Sequence, residues 1–330
     1  MSVAGLLRLP RLDDDLASVD AALRQSVTSE DPFLSEVASH LIKASGKRLR
    51  PALAVASALA GGGEITTDVI HGSCSVELVH LGSLYHDDVI DDAETRHGVE
   101  SVNAKWGNLV AIVAGDFLLA RASEIAARLG TEVSALLAAT IGRLCEGEVG
   151  EVQAAFDPSR SEERYLAAIA GKTASLLSAS CRIGALTAGL DRPVVDALAT
   201  FGHHFGMAFQ VRDDVLDVVS TEAALGKPAG HDMVQGVYTL PVIRALTDRT
   251  AGPELRELLG GPLDDAARDK ALAIVRATDG IASSLAEARG FADEAALALA
   301  PLPPSPLAES LADLARQLLD DLDSDVQRAF

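Results

Sequence analysis

Two short stretches of the 330-residue chain concentrate side chains that could do chemistry. "HDDVIDD" at 86–92 sets Asp87, Asp88 and Asp91 at i, i+1 and i+4, with Asp92 alongside, and "RDDVLDV" at 212–218 repeats the spacing with Asp213, Asp214 and Asp217. On a helix, i and i+4 share a face and i+1 flanks them, so each stretch crowds three carboxylates onto about one turn. A fully solvated acidic face tolerates such crowding, and for one isolated cluster that reading is as good as any other. Here both clusters are embedded in apolar sequence, "VELVHLGSLYHDDVI" and "FGMAFQVRDDVLDVV", which favours acids that line a cavity and are neutralised by cations. Hard oxygen donors with no cysteine beside them suit Mg²⁺, with Mn²⁺ as a substitute, better than zinc. His86 next to Asp87 raises a zinc alternative, although a lone histidine beside acids more often packs or hydrogen-bonds. Mg²⁺ takes one or two carboxylates and completes its shell with water and phosphate oxygens. Two facing helices of this kind would therefore make a clamp for a diphosphate rather than a closed cage.

A second group is basic, in a chain with 28 Lys+Arg against 48 Asp+Glu and a formal charge of −20. "SGKRLRP" at 45–51 gathers Lys47, Arg48 and Arg50; "ETRHG" supplies Arg96 and His97; Lys172 lies in "GKTAS" and Lys227 in "LGKPAG". Set beside Gly and Thr, such cations look reserved for anions that carboxylates cannot hold directly. Taken alone, "GKRLRP" reads equally well as a surface helix terminus. "GKTAS" is no P-loop, since the earlier spaced glycine and a preceding strand are missing. The acidic balance argues against a nucleic-acid partner, whose phosphates need a basic face. The combination implies a substrate with more than one diphosphate and an apolar remainder.

The elements that position these residues read as helices. Hydrophobic types make up 48% of the chain and aromatic ones 4%, and no stretch alternates as a sheet requires. Apolar residues recur at three and four, as in Leu307, Leu311, Leu314, Leu318 and Leu322. Breaks fall at 45–47, 61–64, 157–163, 191–193, 225–232 and 301–306, where Gly, Pro and polar residues cluster. The fold class expected is all-α, as one domain over 1–330, because no composition shift marks a boundary. The stretch 165–190 is the least polar, but Lys172 and Arg182 interrupt it, so a buried helix is expected rather than a membrane span. The N-terminus lacks a signal peptide's long apolar region. Cys74, Cys145 and Cys181 are odd in number and far apart, which predicts no disulfide framework and a reducing, cytoplasmic location.

In this order "GKRLRP", "HLGSLYHDDVIDDAETRHG", "AGDFLLARA", "GKTASL", "GMAFQVRDDVLD" and "GKPAGHD" followed by "TLP" resemble the motifs of the trans-isoprenyl diphosphate synthases, or polyprenyl synthetases, from about residue 40 to 245. "ESVNAKWGN" is similar to bacterial, especially actinobacterial, members. The resemblance implies antiparallel helices around a deep central cavity, a homodimer, and condensation of isopentenyl diphosphate with an allylic prenyl diphosphate. It implies Mg²⁺ at Asp87, Asp91 and Asp213, with Asp88, Asp214 and Asp217 as further ligands or acids beside them. It assigns the allylic diphosphate to Arg96, Lys172, Thr173, Gln210 and Lys227, and isopentenyl diphosphate to Lys47, Arg50 and His80. Asp87, Asp88, Asp91, Lys172, Asp213 and Asp214 would then carry catalysis. Three positions depart from the family pattern. His97 replaces a second arginine that contacts isopentenyl diphosphate, Val237 stands where a lysine is common, and Glu151 where a glutamine is common.

In this family a bulky aromatic four or five positions before the first acidic motif closes the floor of the product channel. Here those positions are Ser83 and Gly82, roughly 7.5 Å below the acids, and they would leave the channel open. A medium- or long-chain product is expected, with a short-chain farnesyl or geranylgeranyl product as the alternative. Tyr85 is expected to be structural. A non-catalytic subunit would tend to lose its acids, whereas both sets are complete here. A class I terpene cyclase would carry one aspartate motif and an aromatic pocket, whereas this chain has two motifs and few aromatic residues (8 Phe, 3 Tyr and 1 Trp).

Overall fold

The computed structural model describes residues 7, 11–44, 46, 48–219, 229–320 and 322. The helices in chain order are α1 (Leu12–Ser26), α2 (Pro32–Ala38), α3 (His40–Lys43), α4 (Leu49–Ala60), α5 (Thr67–Ile90), α6 (Val102–Trp106), α7 (Asn108–Leu129), α8 (Thr131–Gln153) and α9 (Glu162–Ile169). They continue as α10 (Ser175–Thr187), α11 (Arg192–Val219), α12 (His231–Val234), α13 (Leu240–Ala245), α14 (Gly252–Leu258), α15 (Asp265–Arg276), α16 (Gly280–Ala298) and α17 (Pro306–Gln317). Among the described residues the sole sheet is a hairpin of β1 (Thr95–Arg96) and β2 (Val99–Glu100), paired antiparallel with Arg96 opposite Val99. The all-α reading holds, and no helix among the described residues is long and apolar enough to cross a membrane. The stretch expected to be one buried helix is divided: α9 and α10 are separated by a π-turn at Ala170–Ala174.

The described residues belong to two compact units, one spanning 1–141, 176–202 and 299–311, the other 142–175, 203–298 and 312–330. The first unit is centred on α5. Thr66 caps it by accepting the Val69 N–H at 3.3 Å, and Val69, Val76, Leu78, Val79, Leu81 and Tyr85 are buried. A helix apolar on every side is a core helix. It packs on α7 where Gly82 meets Gly115: a Cβ on Gly82 would lie 3.1 Å from the Gly115 carbonyl oxygen. The Tyr85 hydroxyl donates to the Val37 carbonyl at 2.7 Å, a structural role as expected.

In the second unit, α11 turns Met207, Val211, Val215 and Val218 inward at spacings of three and four, onto Tyr165, Tyr238, Leu240, Leu272 and Leu285. Arg276 secures the end of α11 by donating from Nη2 to the Val218 carbonyl at 2.6 Å.

Candidate functional site

Both acidic clusters lie at the C-terminal ends of long helices. Asp87 and Asp88 sit in the last turn of α5, and Asp91 lies just beyond it as the C-cap, so the first cluster straddles the helix end instead of occupying one helical turn. Asp213, Asp214 and Asp217 lie in the last two turns of α11. Unpaired carbonyls make that end of a helix the negative pole, so carboxylates there are disfavoured unless cations join them. An all-oxygen donor set in this position fits a hard divalent cation. Among the described residues no three His, Cys, Asp or Glu side chains are placed to hold an ion together.

The three acids of a cluster are not equivalent. Asp91 is exposed, Asp87 half-buried and the Asp213 side chain 43% exposed, whereas Asp88, Asp214 and Asp217 are buried. The middle acid turns inward in both clusters. Asp88 Oδ1 accepts Arg96 Nε at 2.7 Å and Arg96 Nη2 at 2.6 Å, while Asn103 donates to the Asp88 carbonyl at 3.0 Å. Burial pushes the Asp88 carboxyl above the usual range, opposed by the Arg96 charge. Asp214 accepts the Tyr165 hydroxyl and, at 2.8 Å, Gln210 Nε2. Burial, then the nearby Asp232 charge, pushes it up to about 8. Asp217 accepts the backbone N–H of Asp232 at 3.3 Å. Asp87, Asp91 and Asp213 are thus the more exposed acids, and Asp213 Oδ1 accepts Arg212 Nη1 at 3.1 Å.

The first unit also gathers cations. Arg50 is half-buried near the start of α4, and His80 is half-buried on α5. Gly46 packs beside His97, where a Cβ would come within 3.3 Å of the ring, so the "GKRLRP" segment and the hairpin turn meet. His97 is exposed and holds a left-handed φ of 52° next to Gly98. Burial lowers the His80 imidazole well below its ordinary value, reinforced by Arg50, His97, Arg96 and Arg48. Neutral His80 then offers one N–H and one lone pair. Lys47 lies outside the described residues, as does Lys227.

In the second unit Lys172 sits in the π-turn, a local distortion that often accompanies functional residues. Two glycines bring that turn against α8: a Cβ on Gly147 would lie 2.6 Å from the Lys172 amide nitrogen, and one on Gly171 would lie 2.7 Å from the Arg143 carbonyl oxygen. This contact delivers Lys172 Nζ to Glu148 at 2.7 Å and Glu151 at 2.6 Å. Burial works to lower the Lys172 ammonium, but Glu151 and Glu148 outweigh it and hold it above its ordinary value. Thr173 Oγ1 donates to Gln210 Oε1 at 2.7 Å. Thr173, Gln210, Asp214 and Tyr165 thus form one chain of hydrogen bonds.

Gly82 is buried, and a Cβ there would meet Leu119 at 3.2 Å as well as Gly115, so its missing side chain makes room for α7. Ser83 is half-buried, and its hydroxyl donates to the His80 carbonyl at 2.9 Å. Sequence reasoning missed Glu77, Glu148 and Tyr165. Glu77 did carry a signal, as the one charge in the apolar run three residues before His80.

The sequence profile of the Polyprenyl synthetase family matches residues 31–276. The chain is 41% identical over 306 residues to heptaprenyl diphosphate synthase component 2 of Geobacillus stearothermophilus, covering 92% of this chain and 95% of that one. It is 40% identical over 315 residues to nonaprenyl diphosphate synthase of Mycobacterium tuberculosis, covering 94% and 90%. Among solved structures, polyprenyl synthase from Caulobacter crescentus, complexed with calcium and isoprenyl diphosphate, superposes with a TM-score of 0.88 at 33% identity, covering 95% of this chain and 96% of that one.

Proposed function

The chain belongs to the polyprenyl synthetase family, and on that premise we propose that it lengthens an allylic prenyl diphosphate with isopentenyl diphosphate to a medium- or long-chain trans-polyprenyl diphosphate. The observation that carries this reading is the pair of aspartate triplets at the C-terminal ends of α5 and α11, accompanied by cations in an acidic chain. The heptaprenyl and nonaprenyl products named for its relatives support the product class.

Asp87, Asp91 and Asp213 would hold the metal. Mg²⁺, with Mn²⁺ as a substitute, supplies when bound the Lewis acidity that stabilises negative charge on the departing diphosphate. Lys172, Thr173, Gln210, Arg96 and Lys227 orient the allylic diphosphate, and the fixed charge of Lys172 offsets the charge that develops as the bond to carbon breaks. Arg50 and His80, with Lys47 and His97, hold isopentenyl diphosphate so that its double bond attacks the allylic cation. The proton then lost passes to the departing diphosphate. Asp88 and Asp214 act from within, by fixing Arg96 and Gln210. The single helical domain, the homodimer and the cytoplasmic location belong to the same reading.

The name of the Geobacillus stearothermophilus relative, component 2, favours a second reading in which the chain needs a separate partner subunit. Incorporation of labelled isopentenyl diphosphate by the purified chain separates the two. The reading expects incorporation with Mg²⁺ and an allylic primer, abolished by EDTA and restored by excess Mg²⁺. No incorporation under any of these conditions would refute the self-sufficient enzyme.

A further inference from the structure

Beneath the cations of the first unit lies a buried ion pair that no substrate role explains. Arg48 is 8% exposed and Glu77 3% exposed, and Arg48 Nη1 donates to Glu77 Oε1 at 3.0 Å. The same guanidinium donates from Nε to Asp20 Oδ1 at 2.8 Å and from Nη2 to the Ile42 carbonyl at 3.0 Å. Its side chain is therefore directed inward and fully engaged, although it sits in the motif "GKRLRP" between Lys47 and Arg50.

The backbone at Arg48 needs such anchoring. Its φ of 49° and ψ of 37° place it in the left-handed region, which an L-residue with a Cβ occupies only when its surroundings hold it there. α4 begins at the next residue, so this turn sets where Arg50 projects. Glu77 and His80 are three apart on α5 and share a face, so the carboxylate that grips Arg48 stands beside the half-buried histidine. Burial pushes the Glu77 carboxyl up, while Arg48 and Arg50 draw it down.

We propose that Glu77 is a positioning residue for isopentenyl diphosphate: it holds Arg48, and Arg48 holds the turn that places Arg50 beside His80. The inference rests on the substrate reading given above. It makes a prediction opposite in sign to simple electrostatics. A carboxylate buried among the cations of an anion site repels the anion, so by charge alone its removal strengthens diphosphate binding. If Glu77 acts through geometry, its removal weakens binding.

The experiment is steady-state kinetics on the full chain, with each substrate varied in turn, for wild type, Glu77→Gln, Arg48→Lys and the double variant. Tyr85→Phe serves as control, since it removes a buried hydrogen bond from the same helix outside the cation group. Each single variant is expected to raise KM for isopentenyl diphosphate about tenfold, the equivalent of one well-placed charged hydrogen bond, and to leave KM for the allylic primer within about twofold. The double variant should be no worse than either single one, because both break one linkage. A KM for isopentenyl diphosphate that falls or stays unchanged would overturn the inference, and so would an equal rise for both substrates matching the Tyr85→Phe control. Should Glu77→Gln fail to fold, Arg48→Lys carries the same test with the charge retained. An active wild type with an unmoved KM refutes the positioning role alone; a wild type that cannot use isopentenyl diphosphate refutes the substrate reading and this inference together.

Discussion

Lys172 Nζ lies 2.6 Å from Glu151 Oε2, so in the free chain a cation suited to a diphosphate is already neutralised by a carboxylate. A diphosphate would compete with that carboxylate for the ammonium, whose three N–H groups face Glu148 and Glu151. Glu151→Gln removes one competitor and leaves Glu148 to hold the side chain. KM for the allylic primer should fall about two- to fivefold, the range of a partly screened ion pair. Lys172→Ala should instead lower kcat about a hundredfold or more, as when a fixed charge facing a developing anion is removed. Steady-state assays on both variants check the pair.

Adjacent acids should behave differently. The Asp213 side chain is 43% exposed and pairs with Arg212, whereas Asp214 is buried and accepts Tyr165 and Gln210. Asp213→Asn should raise the Mg²⁺ concentration for half-maximal activity about tenfold or more, since a neutral amide is a poorer ligand for a hard cation. Asp214→Asn should leave the Mg²⁺ requirement near wild type and act on kcat through a misplaced Gln210. Mg²⁺ titrations of activity read the contrast directly, and equal shifts for both variants would contradict it.

Gly82 and Ser83 should likewise part company. Gly82→Ala places a methyl 3.1 Å from the Gly115 carbonyl oxygen and 3.2 Å from Leu119, a tightness that offsets the helix gain of about 0.5–1 kcal/mol, so the denaturation midpoint should not rise. Ser83→Phe, at the half-buried neighbour, should shorten the product, with stability the lesser effect. Product sizing and urea unfolding separate the two; an unchanged product length for Ser83→Phe removes that residue from the channel.

His80 should contribute a loss of stability below about pH 6.5, the ordinary histidine value, against the opposite contribution of Asp214, whose raised carboxyl favours the folded chain as pH falls. His80 is held neutral in the folded chain by burial, with Arg50, His97, Arg96 and Arg48 acting in the same direction, so its pKa there lies well below that of the unfolded chain. Between those two values the unfolded chain binds the extra proton, and lowering the pH favours unfolding. His80→Gln should reduce the loss of unfolding free energy between pH 7.5 and 5.5 relative to wild type, as measured by denaturant titration at both pH values.

Much of this was legible from residue types and spacing. Gly and Pro clusters marked the helix ends because those residues cannot continue a helix at ordinary cost, and α4, α5, α10, α11 and α17 begin or end beside them. The chemistry of the acids was legible too, since carboxylates in apolar sequence need a cation. What spacing does not encode is the packing on each face. Asp88 turns inward because Arg96 reaches it from the hairpin, and Asp214 because of a tyrosine 49 residues earlier in the chain. Spacing alone does not say whether Gly82 widens a channel or admits a neighbouring helix; the close approach of Gly115 is what packing adds. The π-turn around Lys172 has no composition of its own; it follows from the contact of Gly171 with α8. Glu77 was visible as an isolated charge, but its partner Arg48 lay inside a motif whose other cations point to substrate.

The mass of the product shows directly whether the chain elongates its primer. The purified chain would be given isopentenyl diphosphate, Mg²⁺ and a farnesyl or geranylgeranyl primer, and its products would be extracted and weighed by mass spectrometry. A ladder of five-carbon additions that ends beyond twenty carbons and vanishes with EDTA is expected. A primer recovered unchanged with Mg²⁺ present would contradict elongation.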